Sequence, residues 1–536
     1  MDDKPGRFKS RLPLWAAIIA GAAALATALV MALYSNISTR QAEAREIAFK
    51  VLDLDERSID PAPWAKNFPR QFDGYQRTAE LTFTKYGGAG PNQKPISKLE
   101  EDPNLLMIFS GYPFSIDYNR RRGHAYMLTD QKVTGRVTKA KQTGSCLHCH
   151  ASNAVAFREV GLKRGAPGTL DESLTSAHGQ AQLLEGLDGV SRMPYDQAAK
   201  LVEHPVACLD CHDPKNMALR VTKPAFIRGI AALASGEGLV PHLPSIEKWR
   251  QGDRARPYDP NQDASRQEMR SFACGQCHVE YYCGPKTTLF FPWNKGLKVE
   301  QIEAYYDEYR FPDGHRFFDW KHPKTGAEVL KAQHPEFETW SQSLHARAGV
   351  SCADCHMPYV REGAIKISDH HVRSPLLNLS KSCQTCHRFP EEQLKATVLA
   401  IQDRHHALMM RAEDALVQLI GAVEKARKSG MDEAALQQVF DFQRKAQWRV
   451  DFINAENSMG FHAPQEAARI LAESIDYSRQ GFVSLSALQL SASRPNSAPS
   501  TKDKSGILGQ TIPTPSGSGT FASFEKTASL VRAPNN

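Results

Sequence analysis

A mainly α-helical fold, preceded by one membrane-crossing helix, is predicted by three observations. Leu14 to Tyr34 is a run of 21 residues without a charge. Five Cys-x-x-Cys-His windows, each the length of one helical turn, lie between Cys146 and His387. Beyond residue 390, three stretches repeat apolar residues at three- and four-residue steps, the period of a packed helix.

The uncharged run, at ~1.5 Å per residue, is long enough to cross the ~30 Å hydrocarbon core of a bilayer. Lys4, Arg7, Lys9 and Arg11 precede it. The positive-inside rule then leaves residues 1–13 in the cytoplasm and exports the rest. A cleaved signal peptide, with Ala24-Leu25-Ala26 as its small-residue site, is the alternative. The apolar run continues past that site, which favours an anchor over residues 14–34. Both readings place the bulk of the chain across the membrane, in a periplasm. Residues 35–75 read as a linker of mixed helical character.

Residues 76–390 are rich in Pro, Gly and short motifs and poor in long amphipathic runs. Such a segment needs something other than side chains to fill its core. Glu391 to Lys428, Asp432 to Asn454 and Pro464 to Leu488 read as long helices, with Gly430 between the first two and His462-Ala-Pro464 opening the third. Their apolar faces, within 391–490, suit packing on each other or on a second subunit. Residues 491–536 are rich in Ser, Pro, Thr and Gly and read as a disordered tail.

Over 536 residues, 41% hydrophobic and 23% charged positions are ordinary for a globular protein. A net charge of +7 is too mild for a nucleic-acid binder and slightly favours anionic substrates. The placement of the eleven cysteines is more telling. Ten form the pairs Cys146 and Cys149, Cys208 and Cys211, Cys274 and Cys277, Cys352 and Cys355, and Cys383 and Cys386; only Cys283 is left over. Each pair is followed at once by His150, His212, His278, His356 or His387. Two thiols so spaced meet the two vinyl groups of a haem, and the next His meets its iron. A zinc knuckle or a redox dithiol could explain one copy, but neither explains five, each with its His. Five covalent haem c groups follow, with those five histidines as proximal ligands and the haems packing the 76–390 region. Nineteen His less these five leaves fourteen, enough to cap every iron, so counting does not separate an electron wire from an enzyme with one open iron.

Several windows together resemble the ammonia-forming cytochrome c nitrite reductase family. They are Arg122-Gly-His-Ala-Tyr126, Cys274-Gly-Gln-Cys-His-Val-Glu-Tyr-Tyr282, Phe291-Pro-Trp293 with Lys298-Val-Glu300, Lys331-Ala-Gln-His-Pro-Glu336, and Gly460-Phe-His-Ala-Pro464. The resemblance covers about residues 100 to 485 and implies the rest of the site. The His150 haem would be catalytic, with Arg136, Tyr281 and His334 in its distal pocket. Arg136 stands twelve residues after His124, at the family's arginine position. A guanidinium suits an anion, and His and Tyr suit proton delivery. Distal ligands would be His124 for the His278 haem, His370 for His212, His462 for His356 and His345 for His387, with His371 as the neighbouring alternative to His370. A calcium ion would be held by the Glu280 carboxylate, the Tyr281 and Lys331 carbonyls and the Gln333 side chain, all oxygens, as a hard cation requires.

The commoner family pattern has Lys where this chain has His150, a departure that alters the ligand field at the active iron. His148, inside the first motif, reads as solvated or packing, and Cys283 as a buried inert thiol. The implied reaction is six-electron reduction of nitrite to ammonium by a homodimer fed from a membrane quinol-oxidising cytochrome or a soluble multihaem donor. The alternatives are an electron-transfer cytochrome with every iron capped and a related multihaem enzyme acting on hydroxylamine or sulfur oxyanions.

Overall fold

The computed structural model describes residues 12–43, 50–89, 95–363 and 365–493. Most of the segment expected in the cytoplasm and nearly all of the expected disordered tail lie outside them. The chain divides into two units, 1–488 and 489–536. The first is mainly helical; its described strands form two short antiparallel hairpins, Trp320–Lys321 with Glu328–Val329 and Tyr359–Glu362 with Ile365–Ser368.

The first helix runs Leu12–Glu43, longer than the charge-free run, and Trp15–Thr39 within it has the length and hydropathy of a membrane span. Its described side chains are exposed. The stretch expected to be a linker is packed from residue 50 onward. Trp64 is buried in the core and its indole donates to the Ser58 carbonyl at 2.8 Å, while Asn67 Oδ1 accepts the backbone N–H groups of Val51 and Leu52. The polar and Pro-rich sequence around Trp64 hid this one large apolar anchor.

Helices between 76 and 390 are short, the longest being Ala177–Val190. It lies backbone to backbone against Ala154–Lys163: a Cβ on Gly161 would stand 2.0 Å from Gln182 O, and one on Gly186 1.9 Å from Phe157 O. This pair anchors one apolar core, which surrounds the first three Cys-x-x-Cys-His turns. A second core joins residues 105–118 and 299–332 to the long helices.

Those helices span Glu391–Lys428, Gln437–Ala455 and Pro464–Ser493. The second starts five residues later than the pattern suggested, because Gly430 turns the chain at φ 88° and residues 433–436 form turns. Buried positions of the first helix fall at three- and four-residue steps, from Val398 through His405, Met409, Ala412 and Leu416 to Leu419.

Candidate active site

None of the eleven cysteines is paired in a disulfide. The five attachment turns stand close to one another. The Cys149 and Cys277 thiols lie within hydrogen-bonding reach, as do those of Cys274 and Cys352. Cys211 lies near Cys274 and Cys277, and Cys355 near Cys383 and Cys386. The motifs are therefore neighbours in the order first, third, fourth and fifth, with the second beside the third.

Among the described residues, five pairs of imidazoles have ring centres 6.1 to 6.4 Å apart; in one of them His278 stands 6.4 Å from His334, and the other four join a motif histidine to a histidine outside the motifs that carries no pocket role. Ring centres are 6.3 Å apart for His124 and His278, 6.1 Å for His212 and His370, 6.3 Å for His345 and His387, and 6.3 Å for His356 and His462. Two imidazoles bonded to opposite sides of one metal at about 2 Å have centres roughly 6 Å apart. Several rings are anchored through Nδ1 on a carbonyl oxygen: His212 on Met217 at 3.0 Å, His356 on Arg373 at 3.2 Å and His370 on Ser368 at 2.8 Å. An anchored Nδ1–H leaves Nε2 to bind metal. His371 points elsewhere, its Nε2 lying 3.7 Å from Glu80. Pairs and anchors thus fit haem iron.

His150 is held the same way, with Nδ1 3.2 Å from Met127 O. Among the described residues it stands in no such ring pair. Its imidazole pKa is held well below the ordinary value by burial and then by Arg121, His334 and Arg136. Arg136 rides on the turn Gly135–Thr138, capped by Thr134; Asp117 fixes that turn by accepting Thr134 Oγ1 at 2.7 Å and Gly135 N at 2.6 Å. The Arg136 guanidinium lies 4.6 Å over the Phe114 ring, and burial and Arg121 lower its pKa. Tyr281 is buried beside the Cys149 and Cys146 thiols, and burial pushes its hydroxyl pKa up.

His334 lies between the hairpin and helix Glu336–Ser341 and is pushed down to about 4, chiefly by burial and then by Arg121. Glu336 Oε1 lies 3.6 Å from His334 Nδ1 and 3.7 Å from His278 Nδ1, so one carboxylate faces two imidazoles. Burial pushes the Glu336 carboxyl up, but the hydrogen bonds of His278 and His334 prevail and hold it low. Arg136 and His334 thus lie near His150, and Tyr281 lies near the two cysteines of the same motif.

Beside the pocket, Glu280 accepts Gln333 N at 2.6 Å and the Tyr306 hydroxyl at 3.0 Å. Burial, with Glu338 and Asp319 adding to it, drives its carboxyl well above the ordinary range. Burial also raises Asp319 to about 7 and Glu338 to about 8. Glu338 Oε2 has no hydrogen-bond partner. The Lys331 ammonium is committed to Asp451 at 2.8 Å. Among the described residues no three His, Cys, Asp or Glu side chains converge into a metal cage. The donors at hand are mixed instead: one carboxylate, one side-chain amide and carbonyls. The buried acidic cluster of Glu280, Asp319 and Glu338, whose carboxyls burial raises, fits a calcium ion beside it.

Several residues escaped the sequence reading. Arg121 lies within hydrogen-bonding distance of His334 and hid in the run Arg120-Arg121-Arg122, which looks like a solvated basic patch. The segment 220–225 ties the first three motifs together. Lys223 Nζ donates to Ala151 O, Asn153 Oδ1 and Asp210 Oδ1, Thr222 N and Lys223 N both donate to Gln276 Oε1, and Ala225 N donates to His148 Nε2. His148 is therefore fully buried, and the packing alternative describes it. Cys283 packs against the first core, and burial raises its thiol pKa.

A family model described as cytochrome c552 matches residues 60–507. Cytochrome c-552 of Parabacteroides distasonis is 34% identical over 77% of this chain and 74% of its own length, and that of Bacteroides fragilis 32% identical over 89% and 87%. The cytochrome c nitrite reductase of Desulfovibrio desulfuricans, a catalytic subunit solved with two calcium sites, superimposes with a TM-score of 0.65 and 27% identity over 81% of this chain and 88% of that one. With a family match over most of its length, relatives above 30% identity and that shared fold, this chain belongs to the cytochrome c552 family of cytochrome c nitrite reductases.

Proposed function

We propose that the protein reduces nitrite to ammonium at a five-coordinate haem on Cys146, Cys149 and His150, fed by four haems with two His ligands each. The observation that supports this reading is the contrast between His150, which has His334 and Arg136 near it and no opposing imidazole among the described residues, and the four other motif histidines, each opposite a second imidazole. Nitrogen passes from +3 to −3, so one nitrite takes six electrons and eight protons and leaves as ammonium and two waters. Bound haems supply the electron path and the iron at which the substrate is reduced.

The protein's own groups do the rest. The Arg136 guanidinium binds the anion by charge-assisted hydrogen bonds. His334 holds a proton at Nδ1 toward Glu336 and exchanges protons with substrate oxygen at Nε2. The Tyr281 hydroxyl donates to a second oxygen. Glu280, the carbonyls of Tyr281 and Lys331, and Gln333 would hold calcium, which would tie the Tyr281 segment to the His334 segment. The wider reading is a periplasmic homodimer, anchored by Leu12–Glu43, joined through the long helices and reduced by a membrane quinol-oxidising cytochrome or a soluble multihaem donor.

An optical and paramagnetic titration with nitrite tests the proposal. One high-spin haem that changes on nitrite addition, beside four low-spin haems that do not, is expected. Five low-spin haems would leave an electron-transfer cytochrome. Turnover of sulfite well above nitrite would favour the sulfur-oxyanion alternative.

A further inference from the structure

Three consecutive arginines precede Gly123-His124, and they are not alike. Arg120 pairs with Glu101 at 2.7 Å and Arg122 pairs with Asp130. Among the described residues Arg121 forms no salt bridge with a carboxylate. Its Nη2 instead meets His334 Nε2 at 2.5 Å. A guanidinium carries only donors, so Nε2 is the acceptor and the imidazole proton sits on Nδ1, the nitrogen facing Glu336. The same positive charge acts on His150, Arg136, Tyr281 and His334. The nearby carboxylates are engaged elsewhere: Asp117 with Thr134 and Gly135, Glu336 between two imidazoles. Two guanidiniums thus share one partly buried pocket, an arrangement that costs free energy unless an anion comes between them.

We propose that Arg121 is a second substrate-binding residue of this pocket and sets its preference for anionic oxyanions over uncharged substrates; the proposal rests on the nitrite-reductase reading of the site. An entering anion takes the Arg121 donors from His334, and the freed Nε2 then takes up a proton and donates it to substrate oxygen. Nitrite and sulfite gain from this exchange. Hydroxylamine, uncharged at neutral pH and needing only two electrons and three protons to become ammonium and water, does not gain the charge term.

The test uses the full-length haem-loaded protein and its Arg121→Gln and Arg121→Lys variants, with reduced viologen dye as electron donor. One charge-assisted hydrogen bond of 1.5–3 kcal/mol corresponds to about tenfold or more. In Arg121→Gln, kcat/KM for nitrite is expected to fall about tenfold further than kcat/KM for hydroxylamine. The Kd for nitrite, read optically on the oxidised high-spin haem, is expected to rise by about the same factor, and Arg121→Lys to recover part of it. Equal losses on both substrates, or an unmoved nitrite Kd in Arg121→Gln, overturn the assignment. A wild-type protein without a high-spin haem overturns the underlying reading instead.

Discussion

The ammonium of Lys223 meets the carboxylate of Asp210 at 3.0 Å with neither side chain exposed. Asp210 lies inside the second haem motif, and the other Lys223 acceptors, Ala151 and Asn153, follow the first. Removing one partner of a buried, hydrogen-bonded pair leaves an uncompensated charge, at a cost of about 3–5 kcal/mol. Lys223→Met is therefore expected to lower the midpoint of urea unfolding strongly, and Lys223→Met with Asp210→Asn to lose less than the two single changes added. Strict additivity would mean the two groups do not act as a pair.

Arg136→Ala, Tyr281→Phe and His334→Ala should each retain five haems, counted by mass, while ammonium production falls. For His334→Ala, loss of proton delivery predicts about a hundredfold or more. Full production in all three would remove this pocket from the reaction.

Adjacent histidines give a sharp contrast. His370 faces His212, whereas His371 turns to Glu80. His370→Ala is expected to add a second high-spin signal in electron paramagnetic resonance, and His371→Ala to leave the haem spectrum of the parent. The reverse pattern would exchange the two assignments.

On the proposed reading, calcium would offset the negative charge of the buried Glu280, Asp319 and Glu338 cluster. Chelation is expected to lower the melting temperature and the nitrite turnover together, and added calcium to restore both. A chelated protein with unaltered melting would show that nothing at this cluster needs a divalent cation.

His242 lies edge-on to Trp340, 5.5 Å between ring centres, and is pushed down to about 4 by burial and then by Arg347. A lowered imidazole pKa means that the unfolded chain binds the proton first. The stabilising contribution is complete above the unfolded value of about 6.5 and drains away as pH falls toward 4. At pH 5 the loss is on the order of 1–2 kcal/mol. His242→Phe should therefore narrow the stability difference between pH 7 and pH 5; an unchanged difference would exclude His242 as its source.

Legibility in the sequence followed the range of each signal. Attachment turns and long helices are local patterns, and Cys146 to His150 or Val398 to Leu419 can be read directly. The Lys223–Asp210 contact joins residues thirteen apart, the Ala225–His148 contact residues 77 apart, and neither leaves a periodic trace. Arg121 was hidden for a different reason: its guanidinium meets His334, while the identical side chains on either side pair with Glu101 and Asp130. Trp64 shows the converse, a core residue set in a segment whose composition resembles a connector.

The closeness of Cys149 to Cys277, and of Cys274 to Cys352, bears on how the molecule is built. In a compartment where disulfides form, a bond between two such neighbours would join two different motifs and spoil both. On the proposed reading, each haem would be bonded to its own cysteine pair before these segments close on one another, and the nearness of the motifs would constrain the order of assembly.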